Sequence, residues 1–415
     1  MKGYAIELPN SRKFILPILS VFFLTIIPLY LRNSPLSPLH ALEMFNNGSR
    51  SGEIEHVCNV FRGDWVLGSE GPYYTDETKC EIDQRQNCMK FGRPDTEFMK
   101  WRWKPDECEL PRFNASQFLE VVTGKTMAFV GDSVGRNQMQ SLVCLLATAA
   151  NPIDVSSVND TRFRRWLYPS HNFTLVALWS PLLVKFRNAD TSGFSRNNIL
   201  NLYLDEADET WTDHVDDLDF VIFSAGQWFF RPFIYYENNT IVGCFKCERQ
   251  NITEVPHYYG YKMAFRTAFR ALLRNDRYKG TTFLRTYSPS HFENGDWNKG
   301  GNCIRTNPFT KQEMKLDGYN LASYMTQVDE FRIAEKEAEI RGLKFRMLDT
   351  TEAMVLRPDG HPNYYGHSPQ ENRTLADCVH WCLPGPIDTW NEFLLQMLKA
   401  EGIGNIKIKL QTEKN

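Results

Sequence analysis

The sequence predicts an α/β protein: a parallel sheet covered by helices, a cysteine-rich N-terminal subdomain and one N-terminal transmembrane helix. Three observations carry this expectation. From Thr123 onward, apolar strand-like runs alternate with helical periodicity, which is how parallel sheets are connected. Four of the ten cysteines crowd into residues 56–118, where periodicity is weak. Near the N-terminus, Phe14 to Leu31 form an uncharged apolar stretch of 18 residues, about the minimum for crossing a bilayer.

Bulk composition bounds the function. The chain has 415 residues, 42% of them hydrophobic and 13% aromatic, which suits a sizeable core and excludes a disordered or collagen-like protein. Lys+Arg number 47 against 50 Asp+Glu, a net charge of −3 with no long basic block, so no nucleic-acid partner is expected. A mean hydropathy of −0.42 excludes a polytopic membrane protein but not a single span.

Around that span, Lys2, Arg12 and Lys13 precede and Arg32 follows. The positive-inside rule then keeps residues 1–13 cytoplasmic and places the rest of the chain in the lumen, a type II topology anchored through 14–31. The alternative is a cleaved signal peptide, yet the chain after Leu31 reads RNSPLSPLHALEM, without an obvious small-residue cleavage site. Residues 32–55 form a polar stem with two Ser-Pro pairs. An even cysteine count behind a targeting segment reads as disulfides. Seven N-x-S/T sequons, at Asn47, Asn114, Asn159, Asn172, Asn238, Asn251 and Asn372, also suit a secretory compartment. Zinc is the rival reading of Cys244/Cys247 and Cys378/Cys382, but the matched second C-x-x-C that makes such a site specific is missing. His361 and His367 lie in a Pro/Gly-rich run and read as loop residues; no metal is expected.

The cysteine-rich subdomain spans 56–118 and the catalytic domain 119–405, with a tail at 406–415. KTMAFVGDS (125–133) reads as a strand ending in a turn, and 134–150 as a helix. FTLVALWSPLLV (173–184) and DLDFVIFSAG (217–226) read as strands, and 259–276 is amphipathic at helical spacing. TTFLRTYSPS (281–290) is a further strand, Leu321 to Arg341 a long helix, and LKFRMLDT (343–350) another strand. DTWNEFLLQMLKAEG (388–402) closes as a helix with Asp388 as N-cap.

The chemistry-bearing residues lie at or beyond strand carboxyl ends, where ligands bind on such sheets. In GDSVGRNQ, Gly131 allows a sharp exit and Ser133 stands at a helix N-terminus, amid free N–H groups suited to an oxyanion. The alternative is that Asp132 or Ser133 merely caps the helix. A nucleophilic serine needs a base. Asp377 and His380, three apart, allow the carboxylate to reach the imidazole Nδ1 and leave Nε2 for Ser133. The alternative is a surface Asp–His pair. An aromatic acceptor site is expected from Trp101, Trp103, Trp228, Phe229, Phe230, Trp297 and Trp381, with Asn294, Asp296 and Asn298 for hydroxyls; core packing is the alternative for these rings. Arg136 and Asn137 orient the loop, contact a donor or form a structural pair.

These segments resemble the plant trichome birefringence-like (PC-esterase) family of wall polysaccharide O-acetyltransferases. The resemblance rests on QNCMKFGRPDTEFMKWRWKPDECELPRF (86–113), AFVGDSVGRNQMQSL (128–142), RTYSPSHFENGDWNKGGNC (285–303) and DCVHWCLPGPIDTWNEFL (377–394), and covers residues 56 to about 400. It implies an SGNH/GDSL-esterase-like fold, a catalytic set of Ser133, His380 and Asp377, and a type II Golgi membrane location. It also implies pairings Cys58–Cys108, Cys80–Cys144, Cys88–Cys382 and Cys303–Cys378. Cys244 and Cys247 are then left able to pair in a tight turn, with a buried free thiol the alternative for Cys144. SAGQWFFRP resembles the branch acting on xyloglucan and mannan. Gly226 N–H, beside that of Ser133, is a stronger oxyanion candidate than the Gln227 side chain; Gln227 is a candidate substrate contact.

Transfer of acetyl groups to xyloglucan through an acetyl-serine is the expected activity. The alternatives are a mannan O-acetyltransferase, a polysaccharide acetyl esterase, and a non-catalytic polysaccharide-binding protein. No bound cofactor is expected. An acetyl donor is required, with acetyl-CoA one candidate, although no nucleotide-binding motif is present. Other Golgi wall-biosynthesis proteins are candidate partners.

Overall fold

The computed structural model describes residues 58–401 except 79, 158–161, 190–197 and 372–374. The expected anchor, stem and C-terminal tail lie outside the described residues, as do Asn47, Asn159 and Asn372. Among the described residues, no helix is long and apolar enough to cross a membrane.

Five strands build the centre: β1 (Thr126–Gly131), β2 (Phe173–Trp179), β3 (Phe220–Ser224), β4 (Thr281–Arg285) and β5 (Lys344–Leu348). They run parallel in the order β5-β4-β3-β1-β2. The residues of β1, β2 and β3 are largely apolar on both faces because both faces are covered, whereas β5 at the sheet edge leaves Lys344 exposed. Phe129 and Ile222 point into one core, with Leu142 and Leu145 of α1 (Ser133–Leu146), while Ala128, Val130, Val221 and Phe223 point into the other. That second core holds Phe265 and Phe269 of α2 (His257–Arg274) and Phe331 of α3 (Gly318–Ile340). Helix α4 (Asp388–Ala400) returns to the first core through Trp390, Phe393 and Leu394.

The sheets are mixed rather than purely parallel, which corrects the expectation. Phe163–Tyr168 and Ile153–Asp154 extend the β2 edge antiparallel. The run 173–184 is not one strand: β2 ends at Trp179, Leu183 adopts a positive φ of 62°, and Val184 starts a strand of a second sheet. That four-stranded sheet has the order 240–245, 233–237, 200–207, 184–188, with both parallel and antiparallel pairs.

The cysteine-rich segment contributes a two-stranded ribbon, Gly63–Leu67 with Trp101–Pro105. Its Trp65 and Trp103 pack into the first core, and Trp65 Nε1 donates to the Ala353 carbonyl at 2.7 Å. All ten cysteines are paired: Cys58–Cys108, Cys80–Cys144, Cys88–Cys382, Cys303–Cys378 and Cys244–Cys247. Cys144 is therefore not a free thiol, and the Cys244/Cys247 pair offers no thiolates to zinc.

Candidate active site

Strand β1 delivers Ser133. Gly131 lies so close to β3 that a Cβ would stand 1.9 Å from the Ser224 carbonyl oxygen, so no side chain fits there. Asp132 is the N-cap of α1. Its Oδ1 accepts the N–H of Val134 at 3.0 Å and of Gly135 at 3.4 Å, and its Oδ2 accepts the Gly226 N–H at 2.9 Å. Capping thus falls to Asp132 and leaves Ser133 as the first helical residue. At that position its N–H has no intrahelical acceptor. Gly226 N–H is already committed to Asp132, so as an oxyanion donor it is corrected; the Ser133 N–H is the backbone donor that remains.

Asp377 and His380 stand in the segment leading to α4. Asp377 is fixed by reciprocal backbone hydrogen bonds to Asn363, at 2.9 and 2.8 Å, and by the neighbouring Cys378–Cys303 link. Its Oδ1 accepts the N–H groups of Val379 (3.1 Å) and His380 (3.0 Å), and its Oδ2 accepts from His380 Nδ1 at 2.7 Å. Burial alone works to raise the Asp377 pKa. The His380 charge and the converging hydrogen bonds outweigh it and hold the carboxyl well below the usual carboxylate range. For His380, burial pulls the pKa down, but the Asp377 charge and hydrogen bond reverse this and leave it raised. With its Nδ1 engaged by the carboxylate, His380 can carry a proton there and offer Nε2 as the basic nitrogen.

Ser133 and His380 are not hydrogen-bonded to each other. Both line one cavity of about 270 Å³, together with Arg85, Arg136, Gln140, Arg164 and Trp166. Asn137 clasps the two halves: its amide accepts the Trp381 N–H at 2.7 Å and donates to the Trp381 carbonyl at 3.2 Å. His361 lies in a loop, as expected, but is fully buried. Its Nδ1 meets the His380 carbonyl at 2.7 Å, its ring stacks on Trp381 at 4.1 Å, and His291 lies behind it at 2.7 Å. Two buried imidazoles and an indole thereby back the histidine segment.

The remaining expectations divide. Arg136 faces the cavity, with its guanidinium over the Trp179 ring at 4.2 Å. Trp228 meets that same ring edge-on at 5.4 Å and is half-buried, outside the cavity lining. Three candidate substrate contacts are corrected. Asn137 and Trp381 are completely buried and face one another rather than solvent. Gln227 Nε2 is engaged by Tyr287 Oη at 3.1 Å and the Ser288 carbonyl at 2.8 Å. Trp297 is exposed but does not line the cavity. Trp103 and Phe229 are core. The four described sequon asparagines, Asn114, Asn172, Asn238 and Asn251, are all exposed.

Sequence reasoning missed Arg85, Gln140, Arg164 and Trp166. For Gln140 a signal existed: positions 133, 136 and 140 share one face of a helix. Arg85 lies in a loop without periodicity, and Arg164 and Trp166 lie on an unpredicted strand between β2 and Ile153–Asp154.

A serine at a helix N-terminus, lining one cavity with a carboxylate-backed histidine at the carboxyl ends of a parallel sheet, is the arrangement of serine-dependent acyl chemistry. Comparison with known proteins agrees. Residues 110–397 match PC-Esterase, a GDSL/SGNH-like acyl-esterase family found in Pmr5 and Cas1p, and residues 56–109 match the PMR5 N terminal domain. The chain is 50% identical over 407 residues to Protein trichome birefringence-like 19 of Arabidopsis thaliana, covering 95% of each chain. It is 44% identical over 347 residues to Xyloglucan O-acetyltransferase 4 of Populus trichocarpa, with 83% of this chain and 82% of the relative covered. With Xyloglucan O-acetyltransferase 1 of Arabidopsis thaliana the identity is 40% over 351 residues, covering 83% of this chain and 81% of the relative. The chain belongs to the trichome birefringence-like, PC-esterase family of plant polysaccharide O-acetyltransferases.

Proposed function

We propose that the protein transfers acetyl groups to xyloglucan hydroxyls through an acetyl-enzyme on Ser133. The observation that carries this reading is the shared cavity: Ser133 and the Asp377-backed His380 both line it although they come from opposite ends of the domain. The relatives named as xyloglucan O-acetyltransferases support the acceptor.

In the first half-reaction His380 Nε2 takes the Ser133 Oγ proton as Oγ attacks the acetyl carbonyl of the donor. The tetrahedral oxyanion lies near the Ser133 N–H and the positive end of α1. Collapse breaks the bond to the donor group, which leaves with the proton from His380. In the second half, a sugar hydroxyl gives its proton to His380 and attacks the acetyl-serine carbonyl. Ser133 Oγ departs and recovers that proton. Asp377 stabilises the imidazolium in both halves.

The full chain, incubated with an acetyl donor and deacetylated xyloglucan or glucomannan, should raise the mass of xyloglucan by acetyl increments. Ser133→Ala should abolish the gain. Full activity in a folded Ser133→Ala protein would remove the nucleophile assignment. A gain confined to glucomannan would reassign the acceptor, and acetate release without any gain would make the protein an esterase. We further place the enzyme in the Golgi as a type II protein with a lumenal catalytic domain, a reading supported by the five disulfides and the exposed sequons. Protease protection of the domain in sealed vesicles tests it.

A further inference from the structure

The cavity carries more positive charge than a neutral sugar chain calls for. Arg85, Arg136 and Arg164 line it together with a single carboxylate, that of Asp83. Two of the guanidinium groups have partners. Arg85 Nε donates to Asp83 Oδ1 at 3.0 Å, and Arg164 pairs with Asp154. Arg136 does not. Among the described residues its guanidinium makes no side-chain hydrogen bond or ion pair; it stands over the Trp179 ring at 4.2 Å.

An arginine keeps its charge throughout the physiological range, and its planar fork suits the paired oxygens of phosphate or carboxylate. Here burial and the nearby Arg85 charge both disfavour that cation. A group held under those conditions, one helical turn from the nucleophile, gains most from an incoming anion. The acceptor of the proposed reaction is uncharged, so the anion belongs to the donor.

We propose that Arg136, flanked by Arg85 and Arg164, forms an anion subsite that binds the phosphate-bearing portion of a phosphorylated acyl carrier and so presents its acetyl carbonyl to Ser133. This rests on the acetyl-serine reading for its purpose, but not for its detection. The Trp179 ring supports the guanidinium from one side at 4.2 Å.

Calorimetric titration of the full chain with inorganic pyrophosphate and with coenzyme A reads the subsite directly, without catalysis. Saturable binding of both is expected, weakened at least tenfold in Arg136→Gln and weakened further as salt rises. Arg136→Lys, which keeps the charge but loses the fork, should fall between the two, and thermal melts of both variants separate lost binding from lost folding. Absence of saturable pyrophosphate binding, or equal binding by the parent and a folded Arg136→Gln, overturns the proposal. Tighter binding of oligogalacturonate than of coenzyme A also overturns it, because the anion would then lie on the acceptor. In a second arm, acetyl transfer should lose at least tenfold more in Arg136→Gln with acetyl-CoA than with uncharged p-nitrophenyl acetate; equal losses count against the subsite. Pyrophosphate binding without acetylation of Ser133 from either donor supports the subsite while removing the acetyl-serine reading.

Discussion

At His380 two opposing effects meet. Burial favours its neutral form and Asp377 its charged form, and the carboxylate prevails. The base is the neutral imidazole, so kcat/KM should rise with pH on the acid side, with a midpoint above the ordinary histidine value. Asp377→Asn removes the charge that raises that pKa. The midpoint should then move to lower pH, while the plateau rate falls by about 10³–10⁴-fold because the imidazolium loses its partner. A pH–rate profile of the two proteins decides this. An unmoved midpoint, or a plateau within threefold of the parent, would show that Asp377 does not tune His380.

At the scale of elements, the join between α1 and the histidine segment rests on Asn137. Its two hydrogen bonds to Trp381 span 244 residues of sequence and are completely buried. Asn137→Ala strands a buried N–H and a buried C=O, at about 1–3 kcal/mol each, and lets His380 drift relative to Ser133. Asn137 is a positioning residue, so kcat should fall at least tenfold with acceptor KM changed less than twofold; the reverse split would place it in acceptor binding instead. How far such elements can be read from sequence depends on what buries them. Strands β1, β2 and β3 were legible because nearly all their residues are apolar and buried, while β4 and β5 showed shorter apolar runs bounded by turns. Phe163–Tyr168 was not legible: most of its residues are half-exposed, and the adjacent Arg164 and Arg165 break any apolar run or alternation. Ser133, Asp377 and His380 were legible as motifs because their neighbours in sequence fix their local geometry. Arg85, Arg164 and Trp166 reach the cavity only through tertiary packing, which no local pattern encodes. Asp388 was misread for the same reason: it is the first residue of α4 with its carboxyl turned inward, and the residue at the cap, Ile387, makes no side-chain cap.

At the scale of the whole molecule, the cysteine-rich segment is part of the site rather than an appendage. The loop from Cys80 to Cys88 is linked at one end to α1 through Cys144 and at the other to Cys382, two residues past His380. It brings Arg85 into the cavity between those anchors. Asp388 is the polar counterpart of that join, since it binds all three parts at once. Its Oδ1 accepts from Tyr74 of the cysteine-rich segment at 2.8 Å and from Ser141 of α1 at 2.5 Å, while its Oδ2 accepts the Gly385 N–H at 3.0 Å. Burial dominates over these donors and raises its pKa from 3.8 to about 7. Between those two values the folded chain holds a proton that the unfolded chain has released, so this group's contribution to stability is fully present at low pH and fades as pH rises toward 7. Other buried groups complicate the raw trend: the His291 pKa is lowered to about 4 and that of His361 well below its usual value, and both act in the opposite sense. The comparison with Asp388→Asn cancels them. Because the hydroxyls of Tyr74 and Ser141 can turn to meet an amide, the variant should fold. The parent should gain stability over Asp388→Asn as pH falls from 7 to 4, by at most about 4 kcal/mol. Denaturant melts of both proteins across that range measure the gap, and a gap that stays constant, or closes toward low pH, would show that the carboxyl at this three-way join is ionised throughout.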